Sequence, residues 1–183
     1  MKHSQASQLL VLAALLFAGS LLHASGAPAD FTVRSPISGE AFRLSEARGK
    51  YVALHFLLKT ECPYCLKHTR TYDEKAATVP GVIQVFLKPD GDAEIKKWAT
   101  KLGDVGPTIY RDADAALAKQ FNIPDGYKFH GQTGHYPALV LLGPDGREVF
   151  RQVGKSNLDR LPFDKFAAKV AELKQAAPSA KGR

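Results

Sequence analysis

Between Tyr51 and Leu58 the chain reads YVALHFLL, an unbroken apolar run of strand length with a single histidine inside it. A strand without a polar face needs cover on both sides, which a sheet between helices supplies and a one-sided sheet does not. Val82–Leu87 (VIQVFL) and Ala138–Leu142 (ALVLL) repeat the pattern. Helical segments alternate with these runs. Pro63–Ala76 follows the first, and Asp92–Leu102 follows the second with Ile95, Trp98, Ala99 and Leu102 at helical spacing. Thr108–Tyr110 reads as a short strand, and Asp112 or Asp114 can cap a helix carrying Leu117 and Phe121. Gly and Pro mark 124–136 as a loop. The turn Gly143-Pro144-Asp145-Gly146 joins ALVLL to a strand over Glu148–Val153. Pro162 opens a last helix with Phe163, Phe166, Val170 and Leu173 on one face. Phe31–Val33 and Ala41–Leu44, around Pro36 and Gly39, predict a short hairpin at the start. The order predicts an α/β fold: a central mixed β-sheet flanked by helices, with an N-terminal β-hairpin extension.

The ends carry different information. Lys2 and His3 precede the apolar stretch Leu9–Leu22, which is shorter than the roughly 20 residues of a spanning helix and is followed by Ala24, Ser25, Gly26 and Ala27. This reads as a secretory signal peptide over 1–29, with a folded domain over 30–175 and a disordered tail over 176–183. The expectation is export across the inner membrane to the periplasm, with no stable membrane span after cleavage. A formal charge of +7 raises the question of nucleic acid, but the basic residues are scattered among acids, so no nucleic-acid partner is expected.

Both cysteines fall in one motif, Cys62-Pro63-Tyr64-Cys65, placed where the buried strand hands over to a helix. Free amides and the dipole at a helix start stabilise a thiolate, so the first cysteine is the candidate nucleophile. The second lies one turn deeper, within reach of a disulfide. Pro63 fits the first helical turn, where its missing donor would have no partner. His68, three residues past Cys65, reads as a surface side chain of the same helix. A purely structural disulfide across so short a loop stabilises little. A zinc site needs ligands this chain does not offer in a second cysteine pair. Copper(I) binding needs only two thiolates and remains an alternative. Redox exchange is the reading that the spacing favours.

With these residues in view, the chain resembles the thioredoxin superfamily, in particular the exported thioredoxin-like and redoxin proteins of the TlpA-like and peroxiredoxin-like branch. The resemblance runs over about 31–175 and is carried by GKYVALHFLLKTECPYC, IYRDADAALAKQFNI and YPALVLLGPDGREVFRQVG. It implies a thioredoxin-like fold and an exported thiol–disulfide oxidoreductase, with Cys62 as nucleophile and Cys65 as resolving cysteine. The implied partners are protein thiols or disulfides and a redox partner that recycles the dithiol; no metal or organic cofactor is implied. Pro137 matches the superfamily's cis proline beside the sulfurs, and Pro63, Tyr64, Tyr136 and Pro137 are then the expected substrate-binding residues. His55 falls where thioredoxin has a buried Asp, so it is either a proton acceptor for Cys65 or a hydrogen-bonded core histidine.

The chain departs from the superfamily at several points. Glu61 stands where thioredoxins usually carry Trp, and Pro-Tyr is a glutaredoxin pair. Lys59 and Glu61 pull the Cys62 thiol in opposite directions. Peroxiredoxins place Thr three residues before the attacking cysteine and use a distant Arg. Here Thr60 is two residues before Cys62, and Arg151 is one candidate Arg. A peroxiredoxin-like thiol peroxidase is therefore the alternative function.

Overall fold

The computed structural model describes residues 27–59, 61–129 and 131–176. The signal-peptide reading falls almost wholly outside these residues, as does the tail beyond Ala176.

The three apolar runs become the middle of a seven-stranded sheet. Strands β1 (Thr32–Arg34), β2 (Ala41–Arg43), β3 (Tyr51–Phe56), β4 (Val82–Lys88), β5 (Ile109–Arg111), β8 (Ala138–Leu142) and β9 (Glu148–Val153) lie in the order β2-β1-β5-β4-β3-β8-β9. β3, β4 and β5 are parallel, while β1, β8 and β9 join antiparallel, so the sheet is mixed. The early hairpin is thus not a free appendage: β1 pairs with β5 and extends the sheet edge. Every residue of β3 is buried, as a strand with two neighbours and two covered faces requires.

Alternation along β3 divides the core in two. Val52, Leu54 and Phe56 pack with Val85, Leu87, Val140, Phe42 and Phe121 on one face. Ala53 and Leu57 pack with Phe86, Ile95, Trp98, Leu139, Phe163 and Phe166 on the other. The second face is covered by helices α1 (Pro63–Lys75), α2 (Asp92–Ala99) and α4 (Phe163–Ala176). The first is covered by α3 (Ala116–Gln120) and the N-terminal hairpin with the 3-10 turn Leu44–Ala47. The helices expected on both faces are present, and α4 runs through Ala176.

Two local features differ from the sequence reading. The segment 124–136, which reads as a loop, holds a second, two-stranded sheet, β6 (Asp125–Phe129) against β7 (Gln132–His135). Its residues, DGYKF and QTGH, lack the apolar alternation that marks a half-buried strand, so its pairing rests on backbone bonds. The Tyr136–Pro137 bond, expected cis, is trans: no peptide among the described residues is cis. The backbone shows why. Tyr136 N–H donates to Pro124 O at 2.9 Å and Gly154 N–H donates to Pro137 O at 2.8 Å, so β7 runs into β8 without a reversal at the proline.

The entry to α3 is held by one side chain. Asp112, 3% exposed, accepts from the Leu117 N–H at 2.7 Å and the Ala118 N–H at 3.0 Å. Burial nonetheless pushes its carboxyl above the usual range, against those two bonds. Asp114 and Ala115, both at φ +53°, turn the chain through left-handed backbone that non-glycine residues rarely adopt. Asp112→Ala leaves two amides without their acceptor and should lower the unfolding free energy by about 2 kcal/mol. Chemical denaturation checks this, with Asp112→Asn expected to recover part of the loss.

Candidate active site

The motif sits where β3 ends. Cys62 is the N-cap of α1, in extended conformation, and its Sγ accepts the Cys65 N–H at 3.1 Å; Pro63 occupies the first turn. The two sulfurs lie at disulfide-bonding distance, with Cα atoms 5.2 Å apart. Cys65 Sγ also accepts the Leu58 N–H at 3.3 Å, so the peptide leaving β3 is aimed at the deeper sulfur. Cys65 is 0% exposed and Cys62 6%, so Cys62 is the less deeply buried of the two sulfurs.

Leu58 is itself clamped. Lys88, fully buried at the end of β4, donates to Leu58 O at 3.0 Å, pairs with Asp90 at 2.5 Å and lies 5.0 Å from the Trp98 ring centre. Burial pulls the Lys88 ammonium below its ordinary pKa, and Asp90 opposes that pull. Trp98 is a core residue, as its helical spacing indicated, and also faces this cation.

The charge that reaches the sulfurs comes from elsewhere. One Arg160 nitrogen donates to Cys65 Sγ at 3.1 Å and Cys62 Sγ at 3.3 Å. Arg160 lies in the connection from β9 to α4, which Tyr72 holds by donating its hydroxyl to Leu161 O at 2.9 Å. Burial pulls the Arg160 pKa down to about 10, with Tyr127 opposing. Its Nε is buried without a hydrogen-bond partner, and no carboxylate among the described residues forms an ion pair with it. Lys59 and Glu61, which the sequence set against each other, engage Gln132 and Lys101 instead. Arg151 is committed to Glu148 and Phe121 O. Sequence proximity could not find Arg160, which approaches the motif from almost a hundred residues away.

Beneath the motif, His55 is fully buried. Its Nδ1 pairs with His68 Nε2 at 2.9 Å and its Nε2 with Gln84 Oε1 at 2.8 Å, and its ring stacks on Phe86. It makes no hydrogen bond to Cys65, and reaches the site only through His68, one turn below Cys65 on α1. His68 is buried rather than a surface side chain.

The expected substrate residues do not all meet. Tyr64 is 40% exposed and borders a groove of about 510 Å³ with His68, Leu158, Arg160 and Leu161. Pro137 lines a neighbouring crevice with Arg160 and His68. Tyr136 turns its ring over Gly126, where any Cβ would meet it at 2.6 Å, and its amide is already bonded to Pro124.

A model of the AhpC/TSA family matches residues 25–148. The chain belongs to the AhpC/TSA family. A search of curated proteins finds no match. Among solved structures, this AhpC/TSA protein is similar to the pneumococcal exposed lipoprotein thioredoxin Etrx1 of Streptococcus pneumoniae TIGR4: 21% identity over 79% of this chain and 99% of that one, TM-score 0.63. A secreted Mycobacterium tuberculosis disulfide oxidoreductase homologous to E. coli DsbE shares 22% identity over 78% and 95%, TM-score 0.58. A cysteine-to-serine mutant of PrxQ from Xylella fastidiosa shares 18% over 81% and 90%, TM-score 0.64. The shared fold is thioredoxin-like.

Burial holds the histidine pair neutral. It pulls His55 from 6.5 to about 4, with the Gln84 bond opposing and Arg160 adding to the fall. Burial, His55 and Arg160 hold His68 well below 6.5. An unfolded chain protonates His55 near pH 6.5, whereas the native AhpC/TSA protein does not until about pH 4. Stability is therefore full above pH 6.5 and falls as the pH drops toward 4. His55 alone should cost about 2 kcal/mol between pH 7 and pH 5. Denaturation at both pH values checks this, and His55→Phe should flatten the slope.

Proposed function

We propose that this protein is an exported thiol–disulfide oxidoreductase that exchanges disulfides with partner proteins through Cys62 and Cys65. The carrying observation is the asymmetry of the pair: one sulfur at the exposed start of a helix, the other one turn deeper, at bonding distance and sealed from solvent. The Cys62 thiolate attacks a disulfide sulfur of the partner, and one partner sulfur leaves as thiolate. Cys65, deprotonated, then attacks Cys62 in the mixed disulfide, releasing the second partner thiolate and closing the Cys62–Cys65 bond. His55 is then the hydrogen-bonded core histidine rather than the proton acceptor, since burial and Arg160 keep it and His68 neutral. Tyr64, Pro63 and Pro137 border the approach to Cys62, with Tyr136 behind them. The leader-like N-terminus supports export, and no helix among the described residues is long and apolar enough to cross a membrane.

The second reading, thiol peroxidase, has one observation in its favour: a guanidinium against the sulfurs, where it can also hold a peroxide oxygen. Trapping separates the two. In the exchange reading, alkylation of reduced protein near pH 7 labels Cys62 first, and Cys65→Ser accumulates mixed disulfides with protein substrates through Cys62. Fast, stoichiometric sulfenic acid at low hydrogen peroxide, with no trapped protein, would favour the peroxidase. Equal, slow labelling of both cysteines would remove the role assignment.

A further inference from the structure

Arg160 is a half-buried cation whose Nε is sealed from water without a hydrogen-bond partner. Among the described residues its guanidinium hydrogen-bonds the two sulfurs and no carboxylate, and its Nε has no acceptor. The nearby acidic groups are spoken for or distant. Asp159 accepts from Gln152 and from the Lys155 N–H, within its own turn. Asp164 sits across the groove that Arg160 lines, and forms no ion pair with it. Of the other titratable neighbours, His55 and His68 have their pKa values lowered by Arg160, and Tyr127 opposes the fall of Arg160's own.

A charge partly removed from water and left without a counter-ion destabilises the state that contains it. In the disulfide state the sulfurs offer Arg160 only weak, neutral acceptors. Reduction puts a thiolate where the guanidinium already points, and a contact between a cation and a neutral acceptor becomes an ion pair. The two redox states therefore differ by one ion pair, made only in the reduced form. Arginine suits the task because it stays protonated throughout the working pH range, even with its pKa lowered.

We propose that Arg160 sets the direction of exchange by stabilising the reduced, thiolate form of the Cys62–Cys65 pair, so that the oxidised protein hands its disulfide to partner dithiols. The inference rests on the exchange reading above and adds its direction. A substrate thiolate attacks Cys62 Sγ, the Cys62–Cys65 bond breaks, and Cys65 leaves as a thiolate against Arg160. The second substrate thiol loses its proton and attacks the substrate sulfur of the mixed disulfide, which releases Cys62 as a thiolate. Two electrons pass from the substrate dithiol to this protein, which a partner disulfide of higher potential then reoxidises. The substrate class is thus a reduced protein with two cysteines near enough to pair.

Arg160→Met keeps the stem and removes the charge, and Arg160→Lys keeps a charge without the fork. Each is equilibrated with glutathione redox buffers, its thiolate absorbance is titrated, and its thermal unfolding is followed in both redox states. Wild type should unfold at a higher temperature reduced than oxidised. Arg160→Met should narrow or invert that gap, by stabilising the oxidised form and destabilising the reduced one. It should also shift the glutathione equilibrium toward the disulfide at least tenfold, about 30 mV, and raise the Cys62 thiol pKa. Arg160→Lys should recover most of each effect. A purely structural role would move both redox forms in the same direction. Such a parallel loss, or an equilibrium changed less than twofold in Arg160→Met, overturns the proposal. Failure of wild type to exchange with glutathione or insulin would instead overturn the exchange reading, while the opposed shifts in unfolding temperature would still decide whether Arg160 pairs with a thiolate.

Discussion

Burial of β3 on both faces is the constraint from which the site follows. The strand cannot end in solvent on either side, because α1 covers one face and the N-terminal hairpin with α3 covers the other. Its last peptides must therefore find partners inside the protein. Leu58 does so twice: its amide donates to Cys65 Sγ, and its carbonyl accepts from Lys88. One residue links the central sheet, the buried ion pair and the deeper sulfur. Position of the sulfur and integrity of the core are consequently not separable at this point. A change at Lys88 would act on Cys65 without touching it.

A buried cation, Lys88, and a half-buried one, Arg160, lie within this small region, and the protein treats them in opposite ways. Lys88 is compensated by a carboxylate, a carbonyl and an indole ring, so its charge is settled whatever the state of the sulfurs. Arg160 hydrogen-bonds, among the described residues, the two sulfurs and no carboxylate. The same physics, the cost of a charge removed from water, makes the first a structural clamp and the second a group whose comfort depends on chemistry at its neighbours. The neutral histidine pair fits that division. Protonating it would place a further positive charge beside Arg160 without an anion to meet it, which is why Arg160 helps to depress both imidazoles.

Much of the architecture is legible because it rests on patterns that local sequence carries. Apolar runs of strand length became β3, β4 and β8, the GPDG turn became the β8–β9 connection with Gly146 at φ +77°, and the CPYC motif took the helix start that Pro63 permits. What stayed hidden lacked such a pattern. The β6–β7 hairpin is polar and pairs by its backbone. The left-handed pair Asp114–Ala115 is imposed by the anchor at Asp112 rather than by a glycine. The cis proline rested chiefly on resemblance, and the hydrogen bonds on either side of Pro137 keep the chain extended there. His68 reads as a surface residue because its burial depends on its partner His55, thirteen positions back on another element. Arg160 is the extreme case, since only the closed fold brings its loop to the motif.

Membership in a family that spans several thiol chemistries leaves the reaction to be argued from the site. A peroxidase needs one activated sulfur with room for a small oxidant, and it can resolve the product later and elsewhere. Here both sulfurs of the chain are within bonding distance before any substrate arrives, and the deeper one has its lone pairs engaged by Leu58 and Arg160. An oxidised Cys62 would meet Cys65 before it met a second substrate. That geometry favours fast closure of the disulfide over persistence of any other oxidised form. It also sets the groove bordered by Tyr64 and Leu158, 40% and 61% exposed, on the side of Arg160, which hydrogen-bonds both sulfurs. A protein substrate has the surface to use that groove, and a peroxide does not.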